Sequence, residues 1–469
     1  MKILFIRLAS YYDIHFHHPE NVMMPIDISI MMRTALNLKC HFEFIDLEAF
    51  RFTFDDLKKM ISRDDFDLIV VKAKSPSFET FIKLFKNTKK NIIGMGHIFS
   101  CYAEKLFSED IPLLAAISGE PELSFGLLLQ AIKNDGNYNF SNIPNITWKI
   151  DGKIIHNEEQ LVDNLDELPN PYTDPFLSAG YFTYYPVPFG TKKRFGFLMH
   201  SRGCPYKCIF CSPTLRNSRG DRMRYHSAKR TVDEMEKMAQ KGVTIVQFRD
   251  DSFTIDKSKV KELCLELKRR NLKIKWIVQT NINNVDKDLL MEMKSAGCCS
   301  IGFGIESGSP RILSMLNKNN DLPHAMEIFD FCKKIGIKTV GFFLLGSPGE
   351  EREDIEKTIK LLKNLRPDLI QLAYFTPYPG SQVFEKIKQD YKESIHHYNC
   401  FEYNFSKVST VELKKYFRKF YLNWLLSPST LLSLTSSMVN DLFFNPGAAK
   451  RFLMDGIRFT IRILFFNLR

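Results

Sequence analysis

The chain has 469 residues, of which 44% are hydrophobic and 25% are charged. This composition excludes a largely disordered protein, and the length is enough for two or three domains with their own cores. The net charge of +11 permits contact with nucleic acid, acidic substrates or an anionic membrane, and does not select one of them.

The first residues and the apolar segments indicate the compartment. Met1–Ala9 has the pattern of a strand and not of a secretory signal. No uninterrupted apolar run reaches the roughly 18 residues that a membrane-spanning helix requires. Several cysteines are scattered singly and are expected to be small core residues: Cys40, Cys101, Cys264, Cys332 and Cys400. We therefore expect a cytoplasmic protein in a reducing compartment.

Strand-length apolar runs alternate with amphipathic segments of helix length in the first part of the chain. These runs are Lys2–Leu8, Phe42–Leu47, Asp67–Lys72, Asn91–Met95 and Leu113–Ser118. The alternation predicts an α/β fold with a parallel, doubly wound, Rossmann-like sheet over residues 1–140. Ligands of such sheets bind at the carboxyl ends of the strands, where glycine-containing loops follow here.

Polar and proline-rich sequence follows this predicted domain. It contains a turn signal at Asp151-Gly152 and the segment Leu168-Pro-Asn-Pro, whose prolines favour extended chain. We expect residues 141–190 to be a linker, residues 191–385 to form a second domain, and residues 386–469 to form a helical region.

Cys204, Cys208 and Cys211 are gathered on one short stretch of the second domain. Soft thiolates at this spacing suit zinc or an iron–sulfur cluster. Structural zinc nearly always takes four ligands, commonly from two paired half-sites, and the adjacent Cys298 and Cys299 cannot form a second pair of that kind. Three thiolates would leave one iron of a four-iron cluster open to an outside ligand, which favours a chemical role. The alternative is a structural zinc loop that takes a remote fourth ligand.

The spacing Cys-x3-Cys-x2-Cys, with Phe210 before the last cysteine, resembles the radical S-adenosylmethionine (radical SAM) superfamily. The preceding Ser201-Arg202-Gly203 is similar to the form found in its cobalamin-associated members. The resemblance implies a [4Fe-4S] cluster on the three cysteines, with S-adenosylmethionine bound at the open iron. It also implies that one electron from the cluster cleaves that molecule to a 5′-deoxyadenosyl radical.

Six strands with intervening helices are predicted for this domain, as in the partial (β/α)6 barrel of the superfamily. The strands are Phe195–Met199, Thr244–Phe248, Lys273–Gln279, Ser300–Ile305, Lys338–Leu345 and Leu369–Ala373. Side chains at the carboxyl ends of parallel barrel strands point into the mouth of a barrel. The resemblance implies that one set of residues there contacts S-adenosylmethionine: Phe210, Asp250, Asp251, Gln279 and Glu306.

The two aspartates and Lys318 each have a second possible role. The carboxylates of Asp250 and Asp251 could accept hydrogen bonds from the ammonium of S-adenosylmethionine, each worth about 1.5–3 kcal/mol. Asp250 or Asp251 could also cap the following helix, and the two roles can coexist. Lys318 also matches the family pattern, and its alternative is a solvated surface lysine.

The loops of the first domain resemble those of the cobalamin-binding domain of radical SAM enzymes. Gly94-x-Gly96-His97 follows the fourth predicted strand and Gly119-Glu120 follows the fifth. The resemblance implies that these residues lie against a corrin ring.

The cobalt-binding signature of cobalamin domains, Asp-x-His-x-x-Gly, is incomplete in this sequence. Asp13 and His15 are present, but His18 stands in place of the glycine. His15 is therefore a candidate cobalt ligand. Two alternatives stay open, namely a polar loop over the sheet edge and a domain that keeps the fold without binding corrin.

The end of the chain has the pattern of a basic amphipathic helix. In residues 450–469 the four arginines share one helix face opposite an apolar surface: Arg451, Arg458, Arg462 and Arg469. Such a helix suits an anionic membrane surface, which would place the protein at the inner face of a membrane. The alternative is a helix packed on the barrel with its arginines in solvent.

The resemblance implies a cobalamin-dependent radical SAM enzyme, with methyl transfer to an unactivated carbon of a small-molecule or lipid substrate as the leading hypothesis. An electron donor such as flavodoxin or ferredoxin is expected. One alternative is a cobalamin-independent cyclase or rearrangement enzyme with a vestigial first domain, and another is a non-catalytic, metal-stabilised binding module. We expect no nucleic-acid partner, because no RNA-binding module and no basic-aromatic stripe is present.

Overall fold

The computed structural model describes residues 1–9, 22–74, 77–135, 138–171, 173–181, 194–211, 220–387, 404–428 and 430. These residues form two compact units. The first contains the described residues up to Tyr181 together with Gly220–Arg224 and Phe384–Ile387, and the second contains the rest. His15 and residues 450–469 lie outside the described residues, so the predictions for them are untested.

The first unit is built on a seven-stranded sheet. Its strands are β1 (Lys2–Arg7), β2 (His41–Asp46), β3 (Leu68–Lys72), β4 (Ile92–Met95), β5 (Leu113–Ile117), β6 (Ile146–Ile150) and β7 (Lys153–His156). They lie in the order β2-β1-β3-β4-β5-β6-β7, with the first five parallel and the last two antiparallel. The parallel part confirms the predicted doubly wound sheet.

Helices connect the parallel strands of this sheet. They are α1 (Ile26–Asn37), α2 (Phe54–Ile61), α3 (Phe78–Phe85), α4 (His97–Cys101), α5 (Ala103–Ser108) and α6 (Pro121–Asp135), and α7 (Asp174–Ser178) follows the sheet. Strands covered on both faces become near-continuous hydrophobic runs, as in β3 with its sequence LIVVK. The start of α2 is set by a capping box between Thr53 and Asp56.

The hairpin formed by β6 and β7 lies within the segment predicted as a linker, residues 141–190. Its strands are hydrogen-bonded to the sheet through β5, where Ala116 pairs with Thr147. The buried Trp148 donates through its ring nitrogen to Asn157. The first unit thus continues through this hairpin, and the other domain boundaries stay predictions.

The second unit contains six parallel strands. After β8 (Phe195–Leu198) come two short strands, β9 (Ser201–Arg202) and β10 (Arg224–Tyr225), and then β11 (Ile245–Phe248), β12 (Lys275–Thr280), β13 (Cys298–Glu306), β14 (Lys338–Leu345) and β15 (Leu369–Tyr374). The six long strands lie side by side in chain order, β8-β11-β12-β13-β14-β15. This order confirms the predicted partial barrel.

Helices alternate with the barrel strands and continue after them. They are α8 (Ala228–Gln240), α9 (Lys257–Arg269), α10 (Lys287–Ser295), α11 (Pro310–Met315), α12 (Leu322–Ile335), α13 (Arg352–Leu365), α14 (Gln382–Ile387) and α15 (Thr410–Leu425). The side chain of Asp256 caps α9, so the alternative that Asp250 or Asp251 caps this helix is wrong. Among the described helices, none is long and apolar enough to cross a membrane.

Two glycines of the first unit stand where the packing leaves no room for a side chain. A Cβ atom added at Gly94 would lie 2.0 Å from a ring atom of Phe99. One added at Gly96 would lie 2.7 Å from the carbonyl oxygen of Ala73, and the φ of Gly96 is 94°. The packing of the sheet therefore accounts for both glycines at the predicted corrin-facing edge.

We expect Gly94→Ala to lower the free energy of unfolding by about 1–3 kcal/mol, because the added methyl group must displace the buried ring of Phe99. Gly126→Ala is the matched control. Gly126 lies within α6, and its added Cβ would be 3.4 Å from Thr34, so this change should be neutral or stabilising by about 0.5–1 kcal/mol. Urea denaturation of both variants measures the difference, and equal stabilities would contradict this packing.

Candidate active site

The three cysteines of the motif lie on the loop that follows β8 and β9. All three are half-buried, and the N–H of Cys211 donates to the carbonyl oxygen of Cys208 at 3.1 Å. Burial raises the pKa of Cys211, the neighbouring thiolates of Cys208 and Cys204 and the carboxylate of Asp251 add to this rise, and together they bring the pKa to about 12. Burial likewise raises the pKa of Cys204.

Burial contributes more to these shifts than the nearby thiolates and the carboxylate of Asp251 do. A bound metal reverses the local preference and holds thiolates in their charged form. The donor set therefore fits a metal cluster. In the part of the chain that the structure describes, no three Cys, His, Asp or Glu side chains are grouped closely enough to form a metal site. Ligation by Cys204, Cys208 and Cys211 thus stays a prediction.

Asp250 holds the start of this loop. Its buried carboxylate follows β11 and accepts hydrogen bonds from the backbone N–H of His200 at 3.1 Å, from the backbone N–H of Ser201, and from the hydroxyl of Ser201 at 2.6 Å. Burial raises the pKa of Asp250 to about 7, against the effect of these donors. The structure thus gives Asp250 a positioning role that the sequence did not predict, and its predicted contact with S-adenosylmethionine is untested.

The middle of the loop is held by contacts with two later segments of the barrel. The hydroxyl of Tyr206 donates to Asn284 at 2.7 Å. The side chain of Asn317 donates to the carbonyl oxygen of Lys207 at 2.7 Å, and the N–H of Ile209 donates to the carbonyl oxygen of Leu316 at 3.2 Å. The backbone of the loop is therefore anchored before Cys204 and between Cys204 and Cys211.

Phe210, which lies on the loop between Cys208 and Cys211, packs against an apolar cluster. The cluster contains the buried residues Ile312, Leu316, Phe375 and Val383. Its predicted contact with the nucleoside is untested, and apolar packing already explains an aromatic residue there.

The residues after β11 are tied to the end of β12. Thr280 accepts from the N–H of Thr254 at 3.3 Å, and its hydroxyl lies 2.6 Å from the hydroxyl of Thr254. The carbonyl oxygen of Gln279 accepts from the N–H of Phe253 at 3.1 Å. These bonds place the Asp251 loop and Gln279 at neighbouring strand ends, as parallel pairing requires.

Glu306 and Lys318 form an ion pair that the sequence did not predict. The ammonium of Lys318 lies 2.8 Å from Glu306 Oε1, and the two side chains are only 11% and 9% exposed. The alternative of a solvated surface lysine is therefore wrong. The sequence signal was the match of Lys318 to the family pattern, but nothing local indicated that this lysine would be buried.

Glu306 ends β13 in a strained conformation. Its φ of 63° lies in the left-handed region, and the pairing of β13 with β14 shifts register between Gly304 and Glu306. Strain of this kind is concentrated at ligand-binding sites. The predicted residues Asp251, Gln279 and Glu306 thus stand at successive strand ends of the barrel.

In the first unit, the predicted corrin-facing residues all stand at the carboxyl edge of the sheet. Gly96 and the buried His97 follow β4, and Gly119 and Glu120 follow β5. Both oxygens of Glu120 accept from Arg224, at 2.8 and 2.9 Å, and the N–H of Val162 donates to it at 2.7 Å. Glu120 therefore has a structural role that the sequence did not indicate, and the corrin contacts are untested.

A second polar network at this edge was missed by the sequence reasoning. Arg7, at the end of β1, pairs with Asp46 at the end of β2 at 3.2 Å, and Tyr181 donates to Asp46 at 2.8 Å. Lys72, at the end of β3, pairs with Asp27 at 2.5 Å. The available signal was a charged residue closing each buried apolar run, as in KILFIR and LIVVK.

Glu350 is a fully buried acid in the loop after β14. Its Oε2 accepts from the N–H of Gly346 at 2.6 Å and of Ser347 at 3.3 Å, while its Oε1 has no hydrogen-bond partner among the described residues. Burial raises the pKa of Glu350 to about 8. The protonated acid is therefore the form that the folded protein favours near neutral pH.

We expect Arg224→Met to lower the free energy of unfolding by about 3–5 kcal/mol, because it leaves the carboxylate of Glu120 buried and unpaired. Arg222→Met is the matched control: Arg222 and its partner Asp163 are 63% and 79% exposed, so its loss should cost less than about 1 kcal/mol. Urea denaturation measures both. An unchanged free energy of unfolding in Arg224→Met would mean that this ion pair does not contribute to stability.

Glu350 also predicts a pH dependence of stability. Its pKa is raised from 4.5 to about 8, so the folded state keeps a proton that the unfolded state releases. The associated stability is fully present below pH ~4.5 and is lost as the pH rises through about 8, by at most about 1.4 kcal/mol per pH unit.

We therefore expect wild-type protein to lose stability relative to Glu350→Gln as the pH rises from 5 to 9. Urea denaturation across this range is the measurement, and Glu353→Gln, an exposed neighbour in the first turn of α13, is the control. Parallel pH profiles for wild type and Glu350→Gln would contradict the argument.

The sequence is similar to one protein family model and to proteins that are named as enzymes. Residues 198–362 match the family model of the radical SAM superfamily. The chain is 31% identical over 409 residues to "Uncharacterized methyltransferase PH0819" of Pyrococcus horikoshii, which covers 83% of this chain and 85% of that protein. It is 26% identical to the anaerobic magnesium-protoporphyrin IX monomethyl ester cyclase of Rubrivivax gelatinosus, over 73% of this chain and 62% of that protein.

Among solved structures, the fold is similar to that of the radical S-adenosylmethionine methyltransferase TsrM from Kitasatospora setae, with cobalamin and a [4Fe-4S] cluster bound. The TM-score is 0.65 at 16% identity, over 83% of this chain and 75% of TsrM. This likeness concerns the fold alone. With the family match and the identity to the Pyrococcus protein, it follows that the chain belongs to the radical SAM superfamily of enzymes.

Proposed function

We propose that this chain is a cobalamin-dependent radical SAM enzyme that transfers a methyl group to an unactivated carbon. The observation that carries the proposal is the 31% identity to a methyltransferase of Pyrococcus horikoshii over most of both chains. The cysteine triad on the loop after the first barrel strand supports it.

In this proposal Cys204, Cys208 and Cys211 hold a [4Fe-4S] cluster, and the neighbouring strand ends bind S-adenosylmethionine. When bound, the cluster would supply the electron for cleavage of S-adenosylmethionine, and cobalamin would supply the methyl group. The protein's part is to hold the cysteine loop in place, which Asp250, Tyr206 and Asn317 do. Phe210, Asp251, Gln279 and Glu306 are the residues we assign to the nucleoside cofactor.

Cobalamin is assigned to the carboxyl edge of the sheet in the first unit. The fold likeness to TsrM, whose structure contains cobalamin, supports this assignment. Gly94, Gly96, His97, Gly119 and Glu120 lie at that edge. Packing accounts for Gly94 and Gly96, and Arg224 accounts for Glu120, so the assignment rests on the fold and on the position of this edge.

The substrate class that we propose is a small molecule or a lipid, with an electron donor such as flavodoxin or ferredoxin. The named relatives include a cyclase acting on magnesium-protoporphyrin IX monomethyl ester. Cyclisation without cobalamin is the second candidate, but that relative is matched over a smaller share of its length than the methyltransferase is. We place the protein in the cytoplasm. Membrane contact through residues 450–469 stays a prediction, with a helix packed on the barrel as its alternative.

The test is an anaerobic reconstitution of the full chain with iron and sulfide, followed by S-adenosylmethionine, dithionite and hydroxocobalamin. Formation of 5′-deoxyadenosine, measured by mass spectrometry, together with corrin absorbance of the desalted protein supports the proposal. Deoxyadenosine without retained corrin would move the function to the cobalamin-free candidate. Neither product nor corrin, from protein with an intact cluster, would overturn both.

We expect alanine at Cys204, Cys208 or Cys211 to abolish the cluster, because each removes a thiolate ligand. Iron content and the visible absorbance of the cluster are the measurements. Cys101→Ala is the matched control, because Cys101 is also half-buried but lies in the first unit, and it should keep wild-type iron content. Full iron content in any of the three loop variants would exclude that cysteine as a ligand.

A further inference from the structure

Lys318 is a buried cation beside the cysteine loop. It follows α11, its side chain is only 11% exposed, and its ammonium lies 2.8 Å from Glu306 Oε1. The two residues before it, Leu316 and Asn317, are the ones that hydrogen-bond the loop at Ile209 and Lys207. The backbone that carries Lys318 is thus fixed to the backbone that carries the cysteines.

Lys318 brings a positive charge to the neighbourhood of the cysteine loop. Burial by itself lowers the pKa of Lys318, but the carboxylate of Glu306, whose Oε1 lies 2.8 Å from the ammonium, is the largest of the influences that raise it overall, so the ammonium stays charged. A buried positive charge stabilises negative charge that is added close to it.

The ion pair cannot move freely. A Cβ atom added at Gly304 would lie 2.6 Å from both Glu306 Oε1 and Lys318 Nζ, so the pair rests against the bare backbone of β13. Asn320 donates to the carbonyl oxygens of Gly304 and Ile305, at 2.9 and 3.0 Å, and clamps the strained end of this strand. The ammonium therefore lies against β13, on a segment that is hydrogen-bonded to the cysteine loop.

We propose that Lys318 raises the reduction potential of the cluster held by Cys204, Cys208 and Cys211, an inference that rests on the proposed function. The step is a one-electron transfer from an external reductant, dithionite in the test, to the oxidised cluster. No bond forms or breaks, and no proton is transferred. The reduced cluster carries one more negative charge, which the buried ammonium stabilises, and net charge is one of the factors that set such potentials.

The test is a redox titration of the reconstituted protein, followed by electron paramagnetic resonance without S-adenosylmethionine. At the wild-type midpoint potential, we expect Lys318→Met to lower the ratio of reduced to oxidised cluster about tenfold, which is ~59 mV for a one-electron couple. Lys318→Arg keeps the charge and should stay near wild type. Lys338→Met is the matched control, because it removes a lysine paired with Asp368 at 2.8 Å at the amino end of β14.

Other results would overturn the inference. An unchanged midpoint potential in Lys318→Met with full iron content would overturn it. If that variant also bound S-adenosylmethionine more weakly, the role of Lys318 would be in binding S-adenosylmethionine. Should Lys318→Met lose its cluster, Glu306→Gln decides: it removes the opposing charge and should raise the midpoint, and an unchanged or lower value rejects the proposal. Failure of the wild type to form a cluster would instead reject the proposed function.

Discussion

The arrangement of the cysteine loop depends on one buried carboxylate. Asp250 accepts hydrogen bonds from the backbone of His200 and Ser201 and from the hydroxyl of Ser201, so it joins the end of β11 to the start of the loop. Burial raises the pKa of this acid to about 7, which means that the bonds are formed against a desolvation cost. Without this junction, the later anchors at Tyr206 and Ile209 would fix the middle of a loop whose beginning is free.

Buried ion pairs at strand ends recur in both units, and their surroundings give them different consequences. Glu120 and Arg224 in the first unit bind each other and the backbone of Val162, so they join segments of one domain. Glu306 and Lys318 in the second unit lie against the bare backbone at Gly304, beside the cysteine loop. A buried pair is expensive to break in either place, because the remaining charge is left without a partner. The second pair also brings a buried positive charge to the backbone that is hydrogen-bonded to the cysteine loop.

Several residues that match family motifs are also required by the fold. Gly94 and Gly96 are predicted to face a corrin, yet Phe99 and the backbone of Ala73 already exclude larger residues there. Phe210 is predicted to face the nucleoside, yet it also packs on an apolar cluster. A motif match at such positions is therefore stronger evidence for the fold than for a bound ligand. The cysteines differ in this respect, because no packing requirement calls for three half-buried thiols on one loop.

The sequence by itself determined which segments form the strands of the sheet and of the barrel, because alternating apolar and amphipathic segments are local patterns. It also determined the cysteine triad and the family, since both are carried by short, ordered motifs. Only the tertiary structure decided which charges are paired and buried: Glu306 with Lys318, Glu120 with Arg224, and Asp250 with the backbone of Ser201. It also made Asp256, and not Asp250 or Asp251, the cap of α9. The partners in these three contacts are between 12 and 104 residues apart in the chain. Their burial depends on how whole helices and strands pack, and a local sequence pattern contains no information about that packing.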